Sequence, residues 1–555
     1  MITTGAVDEN LHFLILEVTR QVERTRAYLR NPSGKIRESI VRRDDYIDHL
    51  RTIIQRKCFA QARGADREDR FRIEFLKSLD LVTGNLEHLA DHCENIVGQS
   101  QFLASFDVLD QISLDENFDT ILDGLEMVES ALKARSVHDA LAICRVEARL
   151  DELYAATFKR LLARLDAGGS AHAHVTALLI AHYFERMGDC MLNVGEAILS
   201  AALGERIKID QYRALADTID DARPRAWLER PRHAHEQADL LSIEALGETR
   251  SGCRIDRVSD RSGDKERMVV FKEGRTAKLL EEKRCVDRWN AILPGYAPLI
   301  YSFQEREGLG AILFEYLPGR TFEEMVLRSE PQALAAAATA LERALGEIWT
   351  KTRLDEPTRP RFFEQLAKRL DEVYALHPAF RSGGVQVGPL EVLSLDSLLE
   401  RATSLDERLA APFSVLGHGD LNVDNVIYDH GQASIRFIDL HRSQAMDYAQ
   451  DVSVFLVSNF RLQVFDRPVR ARIHDTIRRM LDFARDYASK AGDPTFEARL
   501  AAGLARSFTT SARFVLAEEF AMNLFFRGRF LIEQLSLLPE SEWSAFRIPE
   551  DVLVD

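Results

Sequence analysis

The chain has 555 residues and a formal net charge of −16, with 88 acidic against 72 basic side chains, and 46% of its residues are hydrophobic. This length exceeds one ordinary core and predicts two or more domains, and the composition is typical of a globular protein. The acidic balance excludes a general nucleic-acid binder and a protein that binds anionic membranes through a basic face, leaving room only for local basic patches.

Cysteine usage and the lack of targeting signals predict the location of the protein. The six cysteines lie far apart and form no CxxC pair, which favours reduced thiols. The N-terminal segment MITTGAVDENLHFLILEVTR has no basic region ahead of its short apolar run, so it does not resemble a secretory signal. No apolar stretch approaches the roughly 18 to 20 residues that cross a bilayer. We therefore expect a cytoplasmic protein without a transmembrane segment.

The N-terminal part of the chain, residues 1–220, has the pattern of successive helices. Apolar residues recur at three- and four-residue spacing, Leu, Ala, Glu and Arg are abundant, and no proline occurs between Pro32 and Pro224. Segment 221–242 then carries Pro224 and Pro231 among charged residues, as a linker would. The sequence predicts an all-α domain followed by a domain boundary.

Beyond this boundary the pattern changes to short runs rich in β-branched and aromatic residues. RMVVFKEG, PLIYSFQ and AILFEYLPG are separated by turn signals and predict a small antiparallel sheet. Helical patterns return from about residue 331, interrupted at about 413–440 by a polar loop and by the hairpin VIYDHGQASIRFIDL, with DHGQ as its turn. We therefore predict an α+β domain over residues 243–555.

The helical part contains an internal repeat that is marked by acidic residues. Glu87 and Asp91 in NLEHLADHCENIV match Glu185 and Asp189 in YFERMGDCMLNVG at one constant offset. Further matched acids lie upstream in each repeat: Asp44 with Glu147, and Asp48 with Asp151. Acids at i and i+4 share one helix face, where they repel each other unless a cation lies between them. Single pairs of this kind are common on solvated faces, so the matched placement carries the signal.

These repeats resemble the PhoU family of phosphate-uptake regulators, which are built from two three-helix repeats with an E/D-x-x-x-D signature close to ERMGDCMLN. In that family the repeated acids bind multinuclear metal clusters, often of iron. The resemblance therefore implies Glu87, Asp91, Glu185 and Asp189 as ligands of iron or another divalent metal, with the upstream acids as helpers. The first repeat reads EHLADHC and departs from the family string, which favours the second repeat as the metal site. The alternative is helix-surface acids balanced by arginines such as Arg186.

The polar loop VLGHGDLNVDNVIYD has the residue types of a phosphoryl-transfer site. Such a site needs a carboxylate that accepts the proton of the attacking hydroxyl, and an amide oxygen and a second carboxylate for magnesium. Asp420 fits the base, and Asn425, at i+5 from it, fits a metal ligand. The following strand ends in RFIDL and supplies Asp439 as the second ligand. His418 is interpreted as a brace of this loop.

Upstream segments supply the remaining elements of a nucleotide site in the same chain order. Lys272 lies late in the strand RMVVFKEG, as expected of a lysine that pairs with phosphates. Its helix partner is predicted to be Glu282, or the neighbouring Glu281. The backbone near Glu315 and Leu317 in AILFEYLPG is predicted to meet adenine.

This half resembles the aminoglycoside phosphotransferase and choline kinase group, whose signature H-G-D-[hydrophobic]-[NH]-x-x-N is matched by HGDLNVDN. FEYLPG and MDYAQDVSVFL also match, and in the family the last acid, Asp451, braces the catalytic loop. The resemblance implies a bilobal protein-kinase-like fold, with an N-lobe at about 243–320 and a C-lobe at about 321–555, that uses ATP and Mg. The spacing from Asp439 to Asp451 leaves no room for a protein-kinase activation segment, which favours a small-molecule acceptor.

Two functions follow from these features. The first is an ATP- and Mg-dependent phosphotransferase that acts on the hydroxyl of a small metabolite and carries a PhoU-like regulatory or scaffolding domain. The alternative is a non-enzymatic regulator of phosphate homeostasis that binds nucleotide and docks on a phosphate transporter or a sensor kinase. The acceptor and the oligomeric state stay open. An acidic chain suits a cationic acceptor such as an amino alcohol, although overall charge says little about one pocket.

Overall fold

The protein folds into two compact units. The first comprises residues 1–276 and 301–314, and the second comprises residues 277–300 and 315–555. The computed structural model describes the following residues: 5–63, 70–226, 241–248, 254–260, 267–306, 308–381, 383–387 and 389–554. Among these residues, no helix is long and apolar enough to cross a membrane.

The first unit begins with two sets of three long helices, as the repeat predicts. Its helices are α1 (Gly5–Arg30), α2 (Gly34–Arg63), α3 (Arg70–Ser100), α4 (Leu114–Ala134), α5 (Val137–Asp166), α6 (Ala171–Leu203) and α7 (Ile209–Ala226). The side chain of Ser136 accepts the N–H of Asp139 at the start of α5, and Gly204 ends α6 in the left-handed region at φ +79°. Phe118 and Phe184 pack edge to face in the apolar core at 4.9 Å. The all-α prediction for this region is confirmed.

The predicted linker overlaps regular structure at both of its ends. Helix α7 continues through residues 221–226 and includes Pro224, and β1 starts at Leu241. Residues 227–240 lie outside the described residues. The domain limits proposed from the sequence stay a prediction.

The first unit also contains a five-stranded sheet of order β1-β2-β3-β5-β4. Its strands are β1 (Leu241–Glu248), β2 (Arg254–Asp260), β3 (Arg267–Arg275), β4 (Ile300–Arg306) and β5 (Leu309–Glu315). β2 pairs antiparallel with β1 and with β3, and the register is irregular between Ala245 and Gly247. The three runs of β-branched and aromatic residues fall on β3, β4 and β5, so these predicted strands are confirmed.

The second unit consists mainly of helices. They are α8 (Thr276–Ile292), α9 (Phe322–Arg328), α10 (Pro331–Lys351), α11 (Phe362–Leu376), α12 (Leu395–Arg408), α13 (Ala449–Phe460), α14 (Arg467–Ala491), α15 (Phe496–Ser511) and α16 (Glu518–Leu537). Its short strands are β6 (Arg320–Thr321), β7 (Val385–Val387), β8 (Leu390–Val392), β9 (Val415–Gly417), β10 (Val426–Asp429), β11 (Ser434–Phe437) and β12 (Gln444–Met446). The α+β class is confirmed.

The predicted hairpin is formed by β10 and β11, which pair antiparallel from Val426 opposite Phe437 to Asp429 opposite Ser434. The Asp429 carboxylate accepts the N–H of Gly431 at 2.8 Å and closes the turn. The hairpin therefore places the residues before Val426 next to the residues after Phe437.

A buried ion cluster connects α15 to the residues just before α13. Arg499 on α15 has a fully buried side chain and donates to Asp447 at 2.7 Å and to Asp493 at 2.9 Å. The Tyr448 hydroxyl donates to Asp493 at 2.7 Å. Buried charges are tolerated only when they are paired in this way, so the cluster fixes α13 against α15.

Candidate functional site

Residues 418–425, for which we keep the name catalytic loop that the resemblance implies, are anchored by a buried carboxylate. Asp451 on α13 is fully buried and accepts the backbone N–H of His418 at 2.7 Å and of Gly419 at 2.8 Å. Gly419 has φ +83°, and a Cβ there would collide with the backbone of Arg442. The Nε2 atom of His418 lies 2.9 Å from the carbonyl oxygen of Ile438, which fits the role of a brace.

Two neighbours orient the Asp420 carboxylate. Its Oδ2 atom lies 3.0 Å from Nη1 of Arg442, and its Oδ1 atom accepts from Nδ2 of Asn422 at 2.8 Å. Arg461 in turn donates to Oδ1 of Asn422 at 3.0 Å. The Asp420 side chain is 21% exposed, so a ligand can still reach a carboxylate whose direction is fixed.

Asn425 and Asp439 are held at the same end of the hairpin as Asp420. Nδ2 of Asn425 donates to the carbonyl oxygen of Asp420 at 2.9 Å, which leaves the amide oxygen as the atom for a cation. The N–H of Ile438 donates to the carbonyl oxygen of Asn425 at 3.0 Å, so the residue before Asp439 is tied to the loop. An amide oxygen beside a carboxylate is a ligand set that Mg²⁺ prefers.

Asp439 adopts a backbone conformation that non-glycine residues rarely take. Its φ is +59°, and Nδ1 of His441 lies 3.2 Å from its Oδ1 atom. Such strain persists only where the surrounding structure enforces it, and it is frequent at functional sites. Because Asn425 is hydrogen-bonded to Asp420 and Ile438 is hydrogen-bonded to Asn425, the backbone of Asp439 lies beside the loop that carries the other two predicted residues.

The predicted phosphate-binding lysine, Lys272, and its predicted partner, Glu282, are both buried. Lys272 belongs to the first unit and Glu282 to the second. Lys272 lies on β3 of the first unit, where it pairs with Ile255 of β2 and is 3% exposed. Glu282 lies on α8 of the second unit and is 2% exposed. Its neighbour Glu281 is exposed and lies 3.6 Å from Arg284. Since a buried carboxylate needs a partner, burial favours Glu282 over Glu281 as the functional acid.

Glu315 and Leu317, predicted near adenine, have different surroundings. The Glu315 carboxylate accepts from Arg436 at 2.7 Å and from the N–H of Leu299 at 3.1 Å, so its side chain has a structural role. Leu317 lies half-buried in the segment between β5 and β6, which has no regular secondary structure. The contact of this segment with adenine stays a prediction.

In the helical part of the first unit, α1 to α7, which we call the helical unit, the first repeat gathers acids from two helices. Asp48 on α2 and Glu87 and Asp91 on α3 each place a carboxylate oxygen within 4.8 Å of the other two, and we call these three residues the first-repeat acids. Burial, and then the neighbouring Asp48 and Asp91, raise the pKa of Glu87 to about 7. Burial and the same crowding raise the pKa of Asp44 to about 7. His88, whose Nε2 lies 3.4 Å from Glu87, and Arg51 offset only part of the negative charge of these carboxylates.

In the second repeat, an arginine neutralises the matched acids. Arg186 donates through Nε and Nη2 to Glu185, both at 2.8 Å, and its Nη1 lies 2.9 Å from Asp189. This arginine lowers the pKa of Glu185, although burial raises the pKa of Asp189. The structure thus reverses the order that the family string favoured. The first repeat is open to a cation, whereas the second already contains one.

Several residues that shape this region were not singled out in the sequence. Arg442 follows Asp439 after a tight turn and reaches back to Asp420, and Asn422 lies within the signature itself. The position of Asn422 within the motif and of Arg442 shortly after Asp439 is the sequence feature that could have identified them. Arg369 on α11 and Arg506 on α15 also lie close enough to Asp420 to feel its charge, but no local pattern links them to the loop.

Comparison with family models gives two matches. Residues 14–99 and 114–198 match the PhoU domain, and residues 247–489 match the family described as Phosphotransferase enzyme family. The chain therefore carries a PhoU-like helical region followed by a kinase-like domain of helices and small sheets.

Comparison with individual proteins gives likenesses to each half separately. The chain is 26% identical over 218 residues to a phosphate-specific transport system accessory protein PhoU homolog of Caulobacter vibrioides, covering 37% of this chain and 93% of that protein. It is similar to PhoU from Streptococcus pneumoniae, with 19% identity, a TM-score of 0.33 and coverage of 37% of this chain and 97% of that chain. It is also similar to a choline kinase from Cryptosporidium parvum Iowa II, with 14% identity, a TM-score of 0.34 and coverage of 55% and 94%.

Proposed function

We propose that this fusion of a PhoU-like helical region with a domain of the phosphotransferase enzyme family is an ATP- and Mg-dependent phosphotransferase. Its acceptor is the hydroxyl of a small metabolite. The observation that carries the proposal is the placement of Asp420, Asn425 and Asp439 around one hairpin, with the Asp420 carboxylate oriented by Arg442 and Asn422. Enzymes of this family generally use ATP and Mg.

In the proposed reaction, Asp420 orients the acceptor hydroxyl and receives its proton. The acceptor oxygen forms a bond to the γ-phosphorus of ATP, the bond from that phosphorus to the bridging oxygen breaks, and ADP leaves with the bond's electron pair. The fixed hydrogen bonds of Arg442 and Asn422 keep the base directed at the hydroxyl, which lowers the entropic cost of the reactive geometry.

Asn425 and Asp439 are the residues that would hold magnesium. When bound there, the ion would offset the charge on the transferring phosphoryl group. Lys272 is proposed to hold the nucleotide phosphates, Glu282 is proposed as a functional acid, and the backbone near Leu317 is proposed to meet the adenine. Lys272 and Glu282 are each buried, and a buried charge is tolerated only with a partner.

The helical region is proposed to regulate or scaffold this activity and to bind iron or another divalent metal at the first-repeat acids. The convergence of three carboxylate oxygens and the raised pKa of Glu87 support a site that is completed by a cation. Glu185 and Asp189 are less suited, because Arg186 occupies both carboxylates.

The experiment that tests the enzyme proposal is magnesium-dependent ADP release by the full chain, with a panel of hydroxylated metabolites. Asp420→Asn should lower turnover at least about 100-fold, since it removes the base and retains the shape of the side chain. Asp424→Asn is the matched control, because Asp424 is an exposed acid of the same loop. Equal rates for the wild type and Asp420→Asn would refute the proposal and favour the non-enzymatic regulator of phosphate homeostasis.

A further inference from the structure

Four arginines lie near Asp420 or next to an arginine that does, and together we call them the arginine cluster. They are Arg369 on α11, Arg442 after β11, Arg506 on α15 and Arg513 after α15. Arg442 is bound to Asp420, and Arg513 forms an ion pair with Glu372, which lies one turn after Arg369 on α11. Two members of the cluster therefore already have a carboxylate partner.

Arg506 is a buried cation that forms no ion pair with a carboxylate among the residues that the structure describes. It is 5% exposed, donates to the Ser453 hydroxyl at 3.3 Å, and has an Nε atom that is buried and makes no hydrogen bond. Its guanidinium also lies 5.6 Å from the centre of the Phe362 ring on α11. Ser453 is close in sequence to Asp451, the residue that anchors the catalytic loop. Arg506 thus brings positive charge to α13 and close enough to Asp420 and Asp451 to feel their charges.

Arg369 lies on the same face of α11 as Phe362, two turns further along the helix. It is half-buried, and it forms no ion pair or hydrogen bond with another residue of the described ranges. Burial, followed by repulsion from Arg513 and Arg442, lowers its pKa, while Asp420 acts in the opposite direction. Burial and repulsion from Arg369 likewise lower the pKa of Arg506 to about 9. Two like charges are therefore held near each other, and Asp420, the acid that offsets both of them, is already bound by Arg442.

We propose that the acceptor carries an anionic group, a phosphate or a carboxylate, which Arg369 binds in the positive field of Arg506 while the acceptor hydroxyl faces Asp420. This inference rests on the proposed phosphotransferase function and names the chemical class of its acceptor. A planar guanidinium binds either group through two parallel hydrogen bonds and gives both affinity and orientation. The site thus selects against cationic acceptors despite the acidic composition of the chain.

Matched acceptors separate this proposal from the phosphotransferase function itself. ADP release is measured with glycerol, glycerol 3-phosphate and glycerate, with glucose and glucose 6-phosphate, and with choline and ethanolamine. We expect kcat/KM for each anionic compound to exceed that of its neutral counterpart at least tenfold. Comparison of glycerol 3-phosphate with glycerate shows whether a phosphate or a carboxylate is preferred. Turnover that is confined to neutral or cationic compounds would overturn the anionic acceptor and leave the phosphotransferase intact.

Substitution of Arg369 tests how the anion is recognised. Arg369→Gln should raise the KM for the anionic acceptor at least tenfold and leave the KM for ATP unchanged. Lys368→Gln is the matched control, since Lys368 is an exposed base on the same helix, paired with Glu364 at 2.6 Å. A rise in the KM for ATP alone would instead assign Arg369 to the nucleotide phosphates and overturn the proposal.

A binding measurement keeps the inference testable if none of the compounds is turned over. Calorimetric titration of the full chain should show that glycerol 3-phosphate or glycerate binds more tightly than glycerol, and that Arg369→Gln removes the difference while Lys368→Gln retains it. If no anion binds in a way that depends on Arg369, the anionic acceptor is refuted whether or not ATP is consumed. If anions bind and ATP is never consumed, only the phosphotransferase function fails.

Discussion

The catalytic loop of the second unit and the first-repeat acids of the helical unit both gather carboxylates, but their charges are balanced in opposite ways. Around the loop, Asp420 is bound by Arg442, and Asp451 accepts two backbone N–H groups. In the first repeat, Asp48, Glu87 and Asp91 face one another, and burial and mutual repulsion raise the pKa of Glu87 to about 7.

The difference indicates what each region lacks. In the loop region, Arg369 and Arg506 form no ion pair with a described acid, which is the basis for the proposed anionic ligand. The helical region contains acids beyond those its cations neutralise, so it is suited to a metal ion or to protons. Similar residue types therefore predict opposite ligands, and the neighbouring charges decide between them.

The largest expected effect is on the stability of the second unit, when the buried arginine that pairs with Asp447 and Asp493 is removed. Arg499→Met should lower the free energy of unfolding by about 3 to 5 kcal/mol, because Asp447 and Asp493 would stay buried without their partner. The measurement is the urea midpoint of the second unit's transition. Arg359→Met, which breaks an exposed pair with Glu407, should change it by less than about 1 kcal/mol. Equal shifts for both variants would show that the buried cluster is not what stabilises this unit.

The next effect concerns the proposed magnesium ligand. Asp439→Asn should reduce ADP release about 100-fold, or roughly 2.7 kcal/mol in the barrier, since it removes a negative charge from the metal site. The apparent magnesium affinity should fall in the same variant, measured by titrating the ion at saturating ATP. Asp424→Asn serves again as the control. A variant with a normal magnesium dependence would remove Asp439 from the metal site.

A smaller effect should distinguish the two helical repeats. Glu87→Gln should weaken binding of Mn²⁺ to the helical unit at least about tenfold, or roughly 1.4 kcal/mol, whereas Glu185→Gln should leave it unchanged because Arg186 already neutralises that acid. Calorimetric titration of the full chain without nucleotide measures this difference. A larger loss of Mn²⁺ affinity in Glu185→Gln than in Glu87→Gln would show that the second repeat, and not the first, holds the metal.

The smallest expected effect is a change in pH dependence of the metal-free protein. The pKa of Glu87 is raised from 4.5 to about 7, so its contribution to stability is full at low pH and is lost as pH rises through about 7. In the presence of a chelator, the urea midpoint of the first unit should therefore fall as the pH rises from 4.5 to about 7. Glu87→Gln should flatten the slope. An unchanged slope would show that Glu87 does not titrate in this range.

Most of the fold followed from the sequence because it depends on local patterns. The helical repeats, the strands at β3, β4 and β5, and the hairpin of β10 and β11 each have a periodicity or a turn signal of their own. The extension of α7 through Pro224 was not predicted, because a proline signals a break more strongly than it signals the last turn of a helix.

The candidate site was predictable only where its residues share one motif. The spacing of Asp420, Asn425 and Asp439 predicted their meeting around the hairpin, but the positive φ of Asp439 depends on the packed structure. Arg369 and Arg506 come from helices far from the loop in sequence, so only tertiary packing brings them to it. Convergence of the first-repeat acids likewise depends on how α2 packs against α3.

The most direct test of the phosphotransferase account is an anomalous-scattering map of crystals of the full chain, grown with Mn²⁺ and a non-hydrolysable ATP analogue. The account predicts a manganese peak coordinated by the amide oxygen of Asn425 and the carboxylate of Asp439. It also predicts a peak at the first-repeat acids and none between Glu185 and Asp189. A map with no manganese at Asn425 and Asp439 while the analogue is bound would contradict the account.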